Sequence, residues 1–317
     1  MAIYSLGPLL GPAIGPVAGG FIAQNTTWRW CFWATSIVAC MIQAAGFFFI
    51  KETYAPTLLH RRAEKIRKET GDSGWHTEFE SAQRSILNTL SVSMRRPLIL
   101  IATQPIVQVL SVFMAFVYGI MYLMLSSFPT LWTSDEYYGE SVSVGGLNYF
   151  SLAVGFFIGA QLSAKFNDKI YKTLVARNKG TGLPEFRVPL LLVGACLLPV
   201  GLLIYGWTAQ AKVHWILPNI GVVILCMATI MSFQCIQVYL VDTYTRYAAS
   251  ALAAAVLLRS LAGFGFPLFA PYLFKKLHYG WGNSILALVA VILGVPAPIL
   301  LWKFGSKLRN MSPYAAG

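Results

Sequence analysis

The chain has 317 residues, of which 56% are hydrophobic and 11% charged, and its mean hydropathy is +0.61. That balance excludes a soluble domain built on one core and predicts an all-α polytopic membrane protein. The net charge of +12 does not point to nucleic acid, because the basic residues lie between apolar runs, where membrane topology accounts for them.

Taken in order, the apolar runs predict eight spans, at 2–23, 30–50, 106–131, 142–163, 189–207, 215–239, 248–271 and 281–302. The first carries Gly7, Gly11, Gly15 and Gly19 at every fourth residue, with Pro8, Pro12 and Pro16 one step on. At helical pitch each set forms a stripe; the prolines remove hydrogen bonds and bend the helix, and the glycines leave a groove. A bent membrane helix pressed against a partner is expected. With no basic n-region and a span-length, proline-rich run, this stretch reads as a span and not as a signal peptide.

Between the second and third spans lies a basic linker, 51–97. Leu58, Leu59, Ala63 and Ile66 alternate there with Arg61, Arg62, Lys65, Arg67 and Lys68. Two readings stay open: an amphipathic helix on the anionic inner leaflet, or a solvated charged linker. A second amphipathic stretch, Phe79 to Met94, leads on, and Pro105 marks the change from interfacial to spanning helix. In the fourth span Ser151, Gly155 and Gly159 form a small-residue stripe that is expected to receive the Gly/Pro stripe of the first.

Lys and Arg set the orientation. With the N-terminus in the cytoplasm, 19 of the 24 basic residues fall in cytoplasmic segments and four (Arg29, Lys212, Lys275, Lys276) in outer loops. Both termini are therefore expected in the cytoplasm. The five cysteines lie in or beside apolar runs without CxxC spacing, and the four histidines are scattered. They read as packing residues, with no metal or cofactor indicated.

Several blocks resemble one family. Gly11-Pro12, then Gly15-Pro16-x-x-Gly19-Gly20, looks like the antiporter signature of the fifth helix of fungal drug:proton antiporters of the major facilitator superfamily. Trp28-Arg29-Trp30, Glu52-Thr53-Tyr54-Ala55-Pro56, Pro184-Glu185-Phe186-Arg187-Val188-Pro189, Asp242-x-Tyr244-x-x-Tyr247, Leu258-Arg259-Ser260 and Trp281-Gly282-x-Ser284 follow in the family's order. The resemblance covers nearly the whole chain and implies helices five to twelve of a twelve-helix transporter. That is a partial major facilitator fold: the last two helices of one half in 1–50, the linker 51–97, a complete six-helix half in 98–303 and a cytoplasmic tail in 304–317. The expectation is a chain lacking the family's first four helices. With them would go the second-to-third-helix loop signature and the fourth-helix basic site. Gln104 stands where relatives often carry glutamate, and Asp168-Lys169-x-Tyr171-Lys172 is a degenerate echo of the conformational-switch loop.

The implied function is proton-driven efflux of small amphipathic or cationic compounds across the plasma membrane, with the lipid bilayer and a coupling proton as partners. A chain with one complete half is expected to be inactive alone; the alternative is a non-transporting membrane fragment that associates with another transporter. An enzyme is disfavoured, since no paired carboxylates or Ser/His/Asp set lies at a membrane face. Among ionisable residues only Arg259 lies deep in a span, where it must face protein or a water-filled cavity. It is either a substrate contact or a charge satisfied by carbonyls. The cavity candidates are Tyr118, Tyr122, Gln108, Asn148, Gln234 and Arg259, each equally readable as interhelical glue. Asp242, with Arg246 at i,i+4, and Asp168 are the gating candidates.

Overall fold

The computed structural model describes residues 2–72, 74–77 and 86–315, and for 2–10, 12, 13, 86–90, 92 and 93 it describes the backbone alone. Residues 79–85 of the expected amphipathic stretch Phe79–Met94 lie outside the described residues. Among the described residues every regular element is helical. Two units form, Met1–Asn25 with Arg96–Gly317, and Thr26–Arg95.

The larger unit opens on α1 (Ala2–Asn25), a continuous helix despite Pro8, Pro12 and Pro16. Helix α4 (Ile86–Thr103) ends where expected: Gln104, preceding proline, is extended at φ −106°, ψ 105°, and α5 (Pro105–Thr133) starts on Pro105. There follow α6 (Val142–Leu147), α7 (Phe150–Arg177), α8 (Val188–Gln210), α9 (Ile216–Thr243), α10 (Ala248–Gly294) and α11 (Pro296–Asn310). The main packed pairs are α5 with α10, α8 with α9, α8 with α10, and α7 with α9. Their core is apolar and aromatic, with Phe113, Phe128, Trp132, Tyr205, Tyr239 and Tyr279 almost wholly buried.

Three expectations change. Of the stripe Ser151, Gly155, Gly159, the two glycines face another helix than the first. A Cβ on Gly155 would lie 2.6 Å from the Val223 carbonyl oxygen, and one on Gly159 2.7 Å from that of Met227, so this face receives α9. The contact between the first and fourth spans does exist, but it runs through other residues. Gly20 faces the Val142 carbonyl, Gly146 faces the Pro16 carbonyl and Val17, and the Ser143 amide donates to Gln24 Oε1 at 2.8 Å. Gly11, Gly15 and Gly19 have nothing within 4 Å of an added Cβ.

Second, the stretch after the fourth span, including residues 168–172, likened above to a loop, continues α7 to Arg177. Third, the last two spans share one helical stretch. α10 runs through Lys275 and Lys276, assigned above to an outer loop, and is broken at His278, whose φ of 54° and ψ of 179° belong to a region normally held by glycine. Among the described residues, six stretches are long and apolar enough to cross a membrane: Trp28–Phe49, Pro105–Thr133, Val142–Arg177, Pro184–Gln210, Ile216–Thr243 and Thr245–Asn310.

The smaller unit holds α2 (Trp28–Phe49), α3 (Ala55–Thr70) and the start of α4, as far as Arg95. No residue of α2 is buried, and Phe47 and Phe49 are each 85% exposed. So large an apolar surface suits a membrane environment and not water. The basic stretch is indeed helical: α3 has Pro56 in its first turn and ends on Gly71 in the left-handed region at φ 69°. The Arg67 Nε donates to the Trp75 carbonyl at 2.6 Å.

Candidate functional site: a cation on an aromatic ledge, with polar locks at both ends

Midway along the bundle α5, α9 and α10 bring Tyr118, Tyr122, Phe233 and Arg259 together. The Tyr118 and Tyr122 rings, one turn apart, sit 4.7 Å between centroids, and Phe233 lies 5.8 Å from Tyr118. Gly263 makes this possible, because its missing side chain lets the Tyr118 ring lie against the α10 backbone. The Arg259 guanidinium stacks 4.6 Å from the Tyr118 centroid, a cation–π contact that partly replaces lost hydration. Its Nε is buried without a hydrogen-bond partner. The Tyr118 hydroxyl donates to Tyr122 Oη at 3.2 Å. Gln234 is half-buried, next in sequence to Phe233.

Two other candidates lie elsewhere and have their polar atoms engaged. Gln108 donates to the carbonyls of Ile101 (2.8 Å) and Ala102 (3.1 Å), closing the last turn of α4 at the Pro105 break. Asn148, at the α6–α7 junction, donates to Glu140 Oε2 at 2.8 Å and accepts from Asn219 Nδ2 at 2.7 Å. This lock ties the 134–141 loop to α9. Burial, only partly offset by the Asn148 bond, holds the Glu140 carboxyl above its ordinary value of 4.5.

At the opposite end Asp168 and Asp242 meet, but through a residue not singled out above. Arg187 donates from Nη1 to Asp168 at 3.0 Å and from Nε to Asp242 at 3.4 Å, and its plane stacks 4.1 Å from the Tyr171 centroid. The expected Asp242–Arg246 pair does not form. Helix α9 ends at Thr243, Tyr244 turns to φ −115°, ψ 49°, and Arg246 leaves the helix face of Asp242 to lie over Tyr247. Close by in the chain, Glu185 and Arg309 form a buried ion pair at 3.2 Å, 7% and 9% exposed. Both Glu185 and Arg187 sit in Pro184–Val188, quoted above as a block of resemblance; two charges at the mouth of an apolar span were the available signal.

A cleft of about 340 Å³ opens one turn beyond Tyr122 and Gly263, between α5 and α10. Ser126, Pro267, Phe274 and Tyr137 form its walls, and Glu136 and Lys275 also line it.

A bundle of long apolar helices, with a charge at mid-depth and polar locks at the ends, defines an integral membrane protein of the transporter type. The Major Facilitator Superfamily profile matches residues 1–267, and the chain belongs to that superfamily. It is 49% identical, over all of its length, to the efflux pump vrtL of Penicillium aethiopicum, of which it covers 62%. It is 43% identical to the MFS-type transporter oryF of Aspergillus oryzae and 41% to the efflux pump radE of Floropilus chiversii, each over 98% of this chain and over 64% and 57% of those proteins. The chain thus spans less than two thirds of the length of these relatives.

Proposed function

We propose that the chain serves a major facilitator-type exporter that expels small amphipathic compounds, with protons as the coupling ion, at the plasma membrane and with both termini in the cytoplasm. The observation that carries this reading is the 49% identity to an efflux pump across the whole chain. In it, residues 98–303 act as one six-helix half, 1–50 as the last two helices of the other, 51–97 as the linker and 304–317 as the tail, and transport is the rocking of halves. The geometry supports a moving joint. α1 meets α6 at close-approach points, Gly20 and Gly146, and small-residue contacts can slide or part without breaking a large interlocked surface. In this reading Gly11, Pro12, Gly15, Pro16 and Gly19 are the residues that would let that helix bend. The Arg187–Asp168–Asp242 cluster ties α7, α8 and α9 together within the six-helix half, so that it can move as a unit.

The test is export of a fluorescent amphipathic dye from cells that lack their own exporters and express the chain alone or joined behind the N-terminal helices of an efflux-pump relative, with and without a protonophore. Lower retention that the protonophore abolishes is expected of the joined protein, and none of the chain alone. Retention by the joined protein equal to that of empty-vector cells counts against the exporter reading; if another transporter co-purifies with the chain in those cells, the non-transporting associate takes its place. Cysteine labelling from the outside at Glu140 and from the inside at Ser312 checks the orientation.

A further inference from the structure

We infer that the mid-depth site selects planar aromatic compounds bearing an anionic oxygen group, a carboxylate or a comparably acidic phenol or enol, rather than organic cations. The inference rests on the exporter reading and names the substrate class of the same site.

The argument is one of charge and donors. Helices α5 and α10 contain no Asp or Glu, and α9 contains one, Asp242, which is held by Arg187 at the far end. The three helices that build the site therefore present a single formal charge near their middle, and it is positive. Arg259 has no carboxylate partner among the described residues, and its Nε has no acceptor. A guanidinium offers five N–H donors in a planar fork that matches a carboxylate. Tyr122 adds to this. The Tyr118 hydroxyl donates to Tyr122 Oη, so the Tyr122 hydrogen is free to turn towards a ligand, and Tyr122 is 38% exposed. The local hydrogen-bonding capacity is thus biased towards donors, and an incoming acceptor completes it.

The aromatic part follows from the walls. Tyr118, Tyr122 and Phe233 form a ledge beside the cation, and Phe266 packs edge-on against Phe116 one turn beyond Gly263. A flat ring can stack there while its anionic oxygen reaches Arg259. An organic cation would meet the same rings, but with a like charge beside it in a medium that screens poorly. The cleft one turn further out continues the α5–α10 seam and has Lys275 in its lining, so an anion leaving by that route meets a second cation, with Glu136 beside it.

The experiment uses the full chain in nanodiscs of zwitterionic lipid at neutral pH, with three probes that share one ring system: 2-naphthoate, 2-naphthamide and 2-naphthylmethylammonium. Binding is measured by equilibrium dialysis. Naphthoate is expected to bind about tenfold or more tighter than either of the others, the order of discrimination a charge-assisted pair supplies. Arg259→Gln should remove that preference, bringing naphthoate binding to the level of naphthamide. Arg259→Lys, which keeps the charge and guards against misfolding of the first variant, should retain part of it. Equal binding of all three probes, a preference for the ammonium, or naphthoate binding indifferent to Arg259→Gln overturns the inference. Should naphthamide bind as tightly as naphthoate, or none of the three bind, the substrate class falls, while the exporter reading stands or falls separately on the dye-export test.

Discussion

Placing an alanine at Gly155 separates two accounts of the small-residue stripe on α7. The added Cβ would lie 2.6 Å from the Val223 carbonyl oxygen, 2.7 Å from Cys226 Cβ and 3.0 Å from Val223 Cα. Two of these atoms are backbone, so no rotamer change relieves the clash. Ordinary contact begins near 3.4 Å, and α7 and α9 must therefore part by roughly 0.7 Å, a gap that forfeits a quarter or more of each dispersion contact along the seam. The seam includes Gly159, just as close to Met227. Overpacking of this kind costs ~1–3 kcal/mol, which at ~2–4 °C for each kcal/mol lowers the thermal midpoint by roughly 2–12 °C. Gly11→Ala is the matched control: nothing stands within 4 Å of its added Cβ, and alanine raises helix propensity, so the midpoint should hold or rise. Fluorescence-detected size exclusion after heating steps, on detergent-solubilised fusions, reads both. If Gly155→Ala melts with the wild type, or the two variants exchange rank, the α7–α9 seam described here is wrong.

Three further outcomes follow from the end locks. Arg187→Gln should cost ~1–2 kcal/mol, and Asp242→Asn more than Asp168→Asn, because Asp168 is 70% exposed and Asp242 33%; equal losses from the two aspartates in denaturation would contradict the geometry. Glu185→Gln strands the buried Arg309 charge and should cost ~3–5 kcal/mol, while Glu185→Leu with Arg309→Met should recover most of it; a double variant as unstable as the single one refutes the pairing. For Glu140 the raised carboxyl means that the folded chain holds its proton more tightly than the unfolded chain. Stability is then highest below 4.5 and falls as pH rises through the raised value. Glu140→Gln, which still accepts from Asn148, should flatten that decline in a melting series across acid to neutral pH, and an unchanged slope would count against it.

Much of the architecture was legible from run length and composition, because a bilayer requires apolar helices of a set length with their backbones satisfied internally. The break at Pro105 was legible as well, since proline forces the residue before it out of the helix. So was the meeting of the first and fourth spans, although not the residues that make it. A stripe such as Ser151, Gly155, Gly159 states that a backbone approaches closely, and lipid-facing helices carry no pattern that says which neighbour it is. Only the tertiary packing assigned that face to α9 and left α1 to Gly146.

The sequence by itself determined that the chain is helical, membrane-embedded and charged at mid-depth only by Arg259, because burying a charge or an unpaired peptide in lipid is costly enough to leave its mark on composition. What only the tertiary structure decided was who faces whom. Asp242 turns to Arg187, 55 positions away, because α9 ends at Thr243 before Arg246 can share its face. Arg259 lies on Tyr118 because Gly263 lets the ring approach the α10 backbone. Such partners are set by the distances between helices, and no local spacing along the chain encodes them.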